Sequence, residues 1–260
     1  MKQIIEIIKE EFNLDIDEQN IATSSDLYQF CKENQVEGTL IAWMYKKGKL
    51  WYDTAEKYEI DEKIINYDTS LKNYLKAALY ENLAALAMLS KKYYFGESVK
   101  QDYQKALYWG TKILENIDIV KSEKIIERYF NEEEQEEVLS DIEFAKVIAS
   151  MILFNMYFFG EGTKKDVEKA FLLAKKSAAL GDAKFQYILA QMYEEGKGTL
   201  PDYQKAILWY EEAIKNNFVE AELFYRLGNL YDKGLGTTPN KEKAKQLIEK
   251  ALEMGYKPEE

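Results

Sequence analysis

The chain has 260 residues, 47% of them apolar, with 35 basic against 46 acidic side chains for a net charge of −11, and no histidine. The missing imidazole excludes His-dependent acid–base catalysis, most catalytic triads and the usual zinc sites. An acidic chain without a basic stripe repels phosphate backbones, so nucleic acid is not an expected partner.

At the N-terminus Glu6 and Lys9 interrupt the apolar run a signal peptide needs, and no later run reads as membrane-spanning. The expectation is a soluble, cytoplasmic protein without a membrane partner. Ile4, Ile5, Ile7, Ile8 and Phe12 share one broad face of a helix over residues 2–12, and the polar stretch 13–20 follows as a loop. Ser24 or Ser25 caps a helix holding Leu27, Phe30 and Cys31, and a second helix carries Leu40, Ile41, Trp43, Met44 and Tyr45. Cys31 is the single cysteine, so no intramolecular disulfide forms, and without a histidine to activate it the thiol reads as core filler. Ser70 is expected to cap a helix through Leu71, Tyr74, Leu75 and Leu79, which breaks at Glu81-Asn82.

From there on the landmarks recur. Gly96, Gly160, Gly196 and Gly234 are separated by 64, 36 and 38 residues. Three positions before each stands Tyr93, Tyr157, Tyr193 or Tyr231, and seven before stands Leu89, Leu153, Leu189 or Leu227. Six positions after come the helix-capping residues Asp102, Asp166, Asp202 and Asn240, then Lys105, Lys169, Lys205 and Lys243, each followed by an alanine. Between Asp182 and Lys215 the pattern spells a hairpin: Asp182 caps a first helix, Gly196 and Gly198 allow a left-handed exit, Pro201 bars continuation, and Asp202 caps a second helix. A period in the thirties made of helix pairs predicts an all-α fold, an α/α solenoid winding as a right-handed superhelix, each hairpin burying its apolar face against its neighbours. Tyr45, three residues before Gly48, and the nearby Asp53 extend the grammar to a degenerate repeat over residues 26–66.

The first spacing exceeds 36 by 28 residues, which marks an insertion between Ile117 and Glu143. Lys121–Phe130 has helical apolar spacing and runs into an acidic tract at 132–137, and Ser140 with Glu143 forms a capping box that opens the next helix. The expected organisation is a divergent helical region over 1–81, repeats over 82–116, 144–181, 182–219 and 220–260, and the acidic helical insertion over 117–143.

Gly160-Glu-Gly-Thr-Lys-Lys-Asp-Val-Glu-Lys-Ala170, Gly196-Lys-Gly-Thr-Leu-Pro-Asp-Tyr-Gln-Lys-Ala206 and the pair Trp209-Tyr210 resemble the Sel-one-like repeat family, relatives of the tetratricopeptide repeat with a longer Gly-x-Gly turn. The resemblance spans residues 82–256 and implies protein recognition by a curved helical surface, in the manner of an adaptor. Ser98 departs from it, standing where the second glycine belongs, and a less regular first turn is expected.

The columns between the packed Leu and Tyr positions point to a partner surface on the concave side. Five before the key glycine are Lys91, Asn155, Gln191 and Asn229, amides and a lysine suited to pairing with an extended peptide. Beside them stand Phe159, Ile152, Ile188 and Arg226, while Glu132, Glu133 and Glu134 form an acidic lip for a basic partner. A solvated helix face and helix end explain the same residues without any function. No nucleophile, phosphate loop or ligand cluster accompanies the carboxylates, so catalytic residues, metals and cofactors are not expected. The reading is non-enzymatic binding of a protein or peptide; the alternatives are an immunity protein or antitoxin that occludes a toxin, a self-associating scaffold, and, last, an enzyme.

Overall fold

The computed structural model describes residues 5, 6, 9, 37–61, 66–120, 126 and 130–258, and among these it is an all-α helical repeat fold with ten helices and no strand. They are α1 (Glu37–Ile60), α2 (Tyr67–Leu79), α3 (Leu83–Phe95), α4 (Tyr103–Val120), α5 (Glu132–Asn155, continued by a π-turn over Met156–Gly160), α6 (Val167–Ala179), α7 (Ala183–Glu195), α8 (Tyr203–Lys215), α9 (Ala221–Lys233) and α10 (Lys241–Glu253). The chain divides into two compact units, 1–152 and 153–260. The loop at 13–20, the helix around Leu27, Phe30 and Cys31, and most of the first helix and of 121–130 lie outside the described residues. Ile5, Ile126 and Phe130 are described and buried.

Each hairpin is built by the same local chemistry. The carboxylates or amides of Asp102, Asp166, Asp202 and Asn240 accept the backbone N–H three residues on at 2.9–3.0 Å, satisfying one of the orphan donors at the start of α4, α6, α8 and α10. The backbone N–H of each cap reaches back to the carbonyl of the tyrosine column, Tyr93, Tyr157, Tyr193 and Tyr231, at 2.8–2.9 Å. Gly96, Gly160, Gly196 and Gly234 hold the left-handed exit at φ between 67° and 82°. The lysine column closes the hairpin over the same tyrosines: Lys105, Lys169, Lys205 and Lys243 place their ammonium groups 4.1–5.3 Å from the ring centroids. Each such contact contributes about 0.5–1 kcal/mol at an exposed site. The leucine column is fully buried, and each leucine contributes roughly 1.5–3 kcal/mol by leaving water.

The second helices stop by a rule the glycines do not reveal. Fifteen residues after the caps Asn66, Asp166, Asp202 and Asn240 come Glu81 (φ 56°), Gly181 (95°), Asn217 (63°) and Gly255 (88°), each left-handed. The same offset from Asp102 falls on Ile117, where α4 instead continues to Val120. Asn66 thereby places α1 and α2 in the series as a hairpin. Its N–H meets the carbonyl of Tyr58 at 2.9 Å, and Ser70 and Ala77 occupy the buried small positions that Ala206 and Ala213 hold in the third repeat.

Four expectations are corrected here. There is no turn at Gly48, because α1 runs unbroken from Glu37 to Ile60; a Cβ on Gly48 would lie 2.8 Å from that of Asn82, so the glycine serves the close approach of the α2–α3 turn. Ser70 is no cap: Asn66 accepts the Thr69 N–H at 2.9 Å, and Ser70 lies buried inside α2, donating to Glu59 at 2.8 Å. The box at Ser140 and Glu143 does not form. Its place is taken by Asn131 and Glu134, which exchange bonds of 2.9 and 3.1 Å at the start of α5, and Ser140 sits within that helix. The stretch Glu132–Gly160 is long and apolar enough to cross a membrane by length and composition, contrary to the sequence reading. Its apolar residues Val138, Ile142, Ala145, Ala149 and Ile152 form a buried stripe at helical spacing.

The first turn also keeps its form, since Ser98 adopts φ 60° where Gly198 and Gly236 have 73° and 72°. A side chain held there costs about 1–2 kcal/mol, partly offset by the lower backbone entropy of the unfolded serine. Ser98→Gly is therefore expected to stabilise the protein by about 0.5–1 kcal/mol, and an unchanged or lowered midpoint in urea would count against this strain.

Candidate functional site

In α7 and α9 the positions eight, five and one before the key glycine lie at i, i+3 and i+7, so they share one helix face. On α7 these are Ile188, Gln191 and Glu195; on α9 they are Arg226, Asn229 and Lys233. Asn155 and Phe159 hold the corresponding positions at the end of α5 and in its π-turn. Asn155, Ile188, Gln191, Arg226 and Asn229 are all half-buried, and Phe159 is 62% exposed, its ring edge-on to Phe158 at 5.0 Å.

The amides differ in what they can offer. Gln191 Nε2 donates to the Tyr187 hydroxyl at 2.8 Å. Among the described residues Asn155 and Asn229 make no side-chain hydrogen bond, and both are partly open to solvent. Arg226 is committed within the protein: its guanidinium donates to Glu222 at 2.7 Å, Glu195 at 3.0 Å and Glu194 at 3.4 Å, tying α9 to α7. Burial opposes the Arg226 charge, but Glu222, Tyr210 and Glu194 outweigh it and hold the pKa above the ordinary guanidinium value. Glu194 also accepts the Tyr210 hydroxyl at 2.6 Å, and burial together with that carboxylate raises the phenol's pKa.

Ile152, expected beside these amides as an exposed contact, is buried at 1% because α5 presents it to the core of the 1–152 unit. Lys91 in that unit pairs with Glu97 at 3.5 Å. The acidic lip is only partly free. Glu132 and Glu133 are exposed, but Glu134 closes the box with Asn131 and pairs with Lys46 at 2.8 Å, which draws its carboxyl below the usual range. Glu137 likewise pairs with Lys49 at 3.1 Å. Among the described residues no three His, Cys, Asp or Glu side chains gather as a metal site.

Sequence reasoning missed two features. One is the lysine–tyrosine pairing, whose signal was the constant twelve-residue offset between the two columns. The other is an exposed apolar column six residues after the caps Asp102, Asp166 and Asp202 on the second helices, Tyr108, Leu172 and Leu208, at 52%, 61% and 58% exposure.

The Sel1 repeat profile matches residues 83–115, 148–182, 183–218 and 225–256, just over half of the chain. The chain belongs to the Sel1 repeat family. Sel1 repeats are generally protein-interaction modules and typically non-enzymatic. Among solved structures, this Sel1 repeat chain is similar to a Sel1 repeat protein from Oxalobacter formigenes at 24% identity, over 80% of this chain and 88% of that one, with a TM-score of 0.39. It is also similar to c5321, a protective antigen of uropathogenic Escherichia coli with an SLR fold, at 19% identity over 88% of this chain and 56% of that one, with a TM-score of 0.39. A third is immunity protein Pa5087 from Pseudomonas aeruginosa, at 18% identity over 80% and 81% of the two chains, with a TM-score of 0.31. No curated protein matches.

Proposed function

We propose that this Sel1 repeat chain is a non-enzymatic cytoplasmic adaptor that binds a protein or peptide segment along the first-helix face of its 153–260 unit. The observation that supports it is the pair of half-exposed amides Asn155 and Asn229, unbonded among the described residues, in register with Gln191 and beside the exposed Phe159. Amide donors and acceptors next to an aromatic suit the backbone of an extended segment. The net charge of −11 favours a basic partner over nucleic acid or an anionic membrane, and occlusion of a toxin's basic site is the narrowest form of this reading.

The test begins with affinity capture from the native lysate and continues with titration of the identified partner. Replacing Asn155, Gln191 and Asn229 together by Ala is expected to leave the melting curve within about 0.5 kcal/mol of wild type. Binding should weaken more than tenfold, since each lost interfacial hydrogen bond is worth about 0.5–1.5 kcal/mol. Charge reversal at the exposed Glu132, Glu133 and Glu136 should chiefly slow association, and less so at high salt. Unchanged affinity in the amide variant together with lost binding in the acidic variant would move the site to the start of α5.

A further inference from the structure

The helices α1 and α5 have 24 residues each, where most helices of the hairpins have 13. Their early turns meet as a clasp: the Tyr45 hydroxyl donates to Asp141 at 3.0 Å, Lys46 pairs with Glu134, Lys49 with Glu137, and the Tyr45 ring stands edge-on to Phe130 at 5.4 Å. Between the two helices and the α2–α3 turn is a cavity lined by Met44, Tyr45, Asn82, Val138, Asp141 and Ile142. It gives water centres about 20 Å³. One water needs roughly 10–15 Å³ by that measure and two to four polar partners.

Asn82 is the reason to expect an occupant. Its Oδ1 caps α3 by accepting the Ala85 N–H at 2.8 Å, which fixes the amide orientation and turns Nδ2 away from that bond. The residue is 2% exposed, and among the described residues Nδ2 has no hydrogen-bond partner. In the third repeat the equivalent cap is Asp182, which is half-buried and keeps its carboxylate wetted. At the sealed position an amide avoids burying a charge but introduces a donor, and leaving a buried donor unpaired is among the costlier faults a fold can carry. Across the same cavity Asp141 Oδ2 accepts from the Tyr45 hydroxyl, and its second oxygen has no donor among the described residues. Burial pushes the Asp141 carboxyl upward, Lys49 and Tyr45 pull against that, and the nearby Glu137 and Asp53 add to the rise.

We propose that the clasp cavity is a built site for one ordered water, which accepts from Asn82 Nδ2 and donates to Asp141, joining the α5 extension to the start of α3. A high-resolution crystal structure of the intact chain should show a single water within about 3.2 Å of both groups. An empty cavity, or one filled by another molecule, overturns the proposal. Val138→Ile supplies the second test, because its sign differs between a wet and a dry cavity. If the added methylene displaces the water and strands Nδ2, Tm falls by several degrees, whereas filling a dry cavity raises it and refutes the site. Overpacking alone also lowers Tm. Asn82→Ser, which keeps a capping oxygen but removes the amide donor, separates the two: the Val138→Ile loss should shrink in that background, and an equal loss in both backgrounds overturns the proposal.

Discussion

Glu59→Ala is expected to destabilise the protein by about 3–5 kcal/mol, the loss that follows when one partner of a buried ion pair is removed. The Lys92 side chain is 5% exposed and donates to Glu59 at 2.5 Å, with the Tyr74 ring 5.5 Å from its ammonium. The equivalent positions of the later repeats carry Met156, Met192 and Leu230, all buried. Lys92 therefore occupies a hydrophobic slot, made tolerable by a carboxylate from α1. Glu59 also accepts the Ser70 and Tyr74 hydroxyls, so its removal strands a cation and two donors at once. Adding Lys92→Met to Glu59→Ala should restore most of the loss, because it returns the slot to the residue type found in the neighbouring repeats. Urea unfolding followed by circular dichroism measures both variants. A loss below about 1 kcal/mol for Glu59→Ala, as for a surface pair, would show that the ammonium finds water without moving the helices.

Gly198→Ala and Gly236→Ala should each cost about 2–5 kcal/mol, combining the left-handed penalty of about 1–2 kcal/mol with overpacking of about 1–3 kcal/mol. A Cβ on Gly198 would press into the Val167 carbonyl oxygen, and one on Gly236 would come within 2.5 Å of the Gln204 backbone nitrogen. Neither neighbour is the tip of a flexible side chain. Gly255→Ala is the internal comparison, because Gly255 has φ 88° and no atom within 4 Å of an added Cβ. It should lose only the conformational part, about 1–2 kcal/mol. Equal losses at Gly236 and Gly255 would mean that the second glycine of the turn serves conformation alone. Two of the three natural exceptions among the described residues follow the same division, Glu81 and Asn217 occupying the left-handed stop of the second helices where Gly181 and Gly255 meet nothing, while Ser98 stands at the second-glycine position of the first repeat.

What could be read from the sequence was local and repeated. Asp102, Asp166, Asp202 and Asn240 cap because their side chains act on a backbone three residues away, and the tyrosine and leucine columns bury because the helical period carries them inward. Errors arose where two local signals competed. Ser140 with Glu143 and Asn131 with Glu134 spell the same box, and the buried stripe from Val138 to Ile152 decides for the earlier one by carrying the helix straight past Ser140. Gly48 reads as an exit until the α2–α3 turn packs against it, and that contact is a tertiary fact. The partner face was legible as positions rather than as chemistry. Arg226 looked available, yet its carboxylates lie about thirty residues upstream at Glu194 and Glu195, a distance that no local pattern records.

The left-handed stop that α4 lacks at Ile117 bears on how this family evolves. Duplication enlarges such an array only by whole hairpins, so the number of units changes while the joints stay the same. A helix that runs past the stop position is under a different constraint: it can gain or lose sequence one codon at a time without moving the cap at either neighbour. The tract beginning at Ile117 is thus the place where closely related chains should differ in length, whereas the joints closed by Glu81, Gly181 and Asn217 should keep theirs.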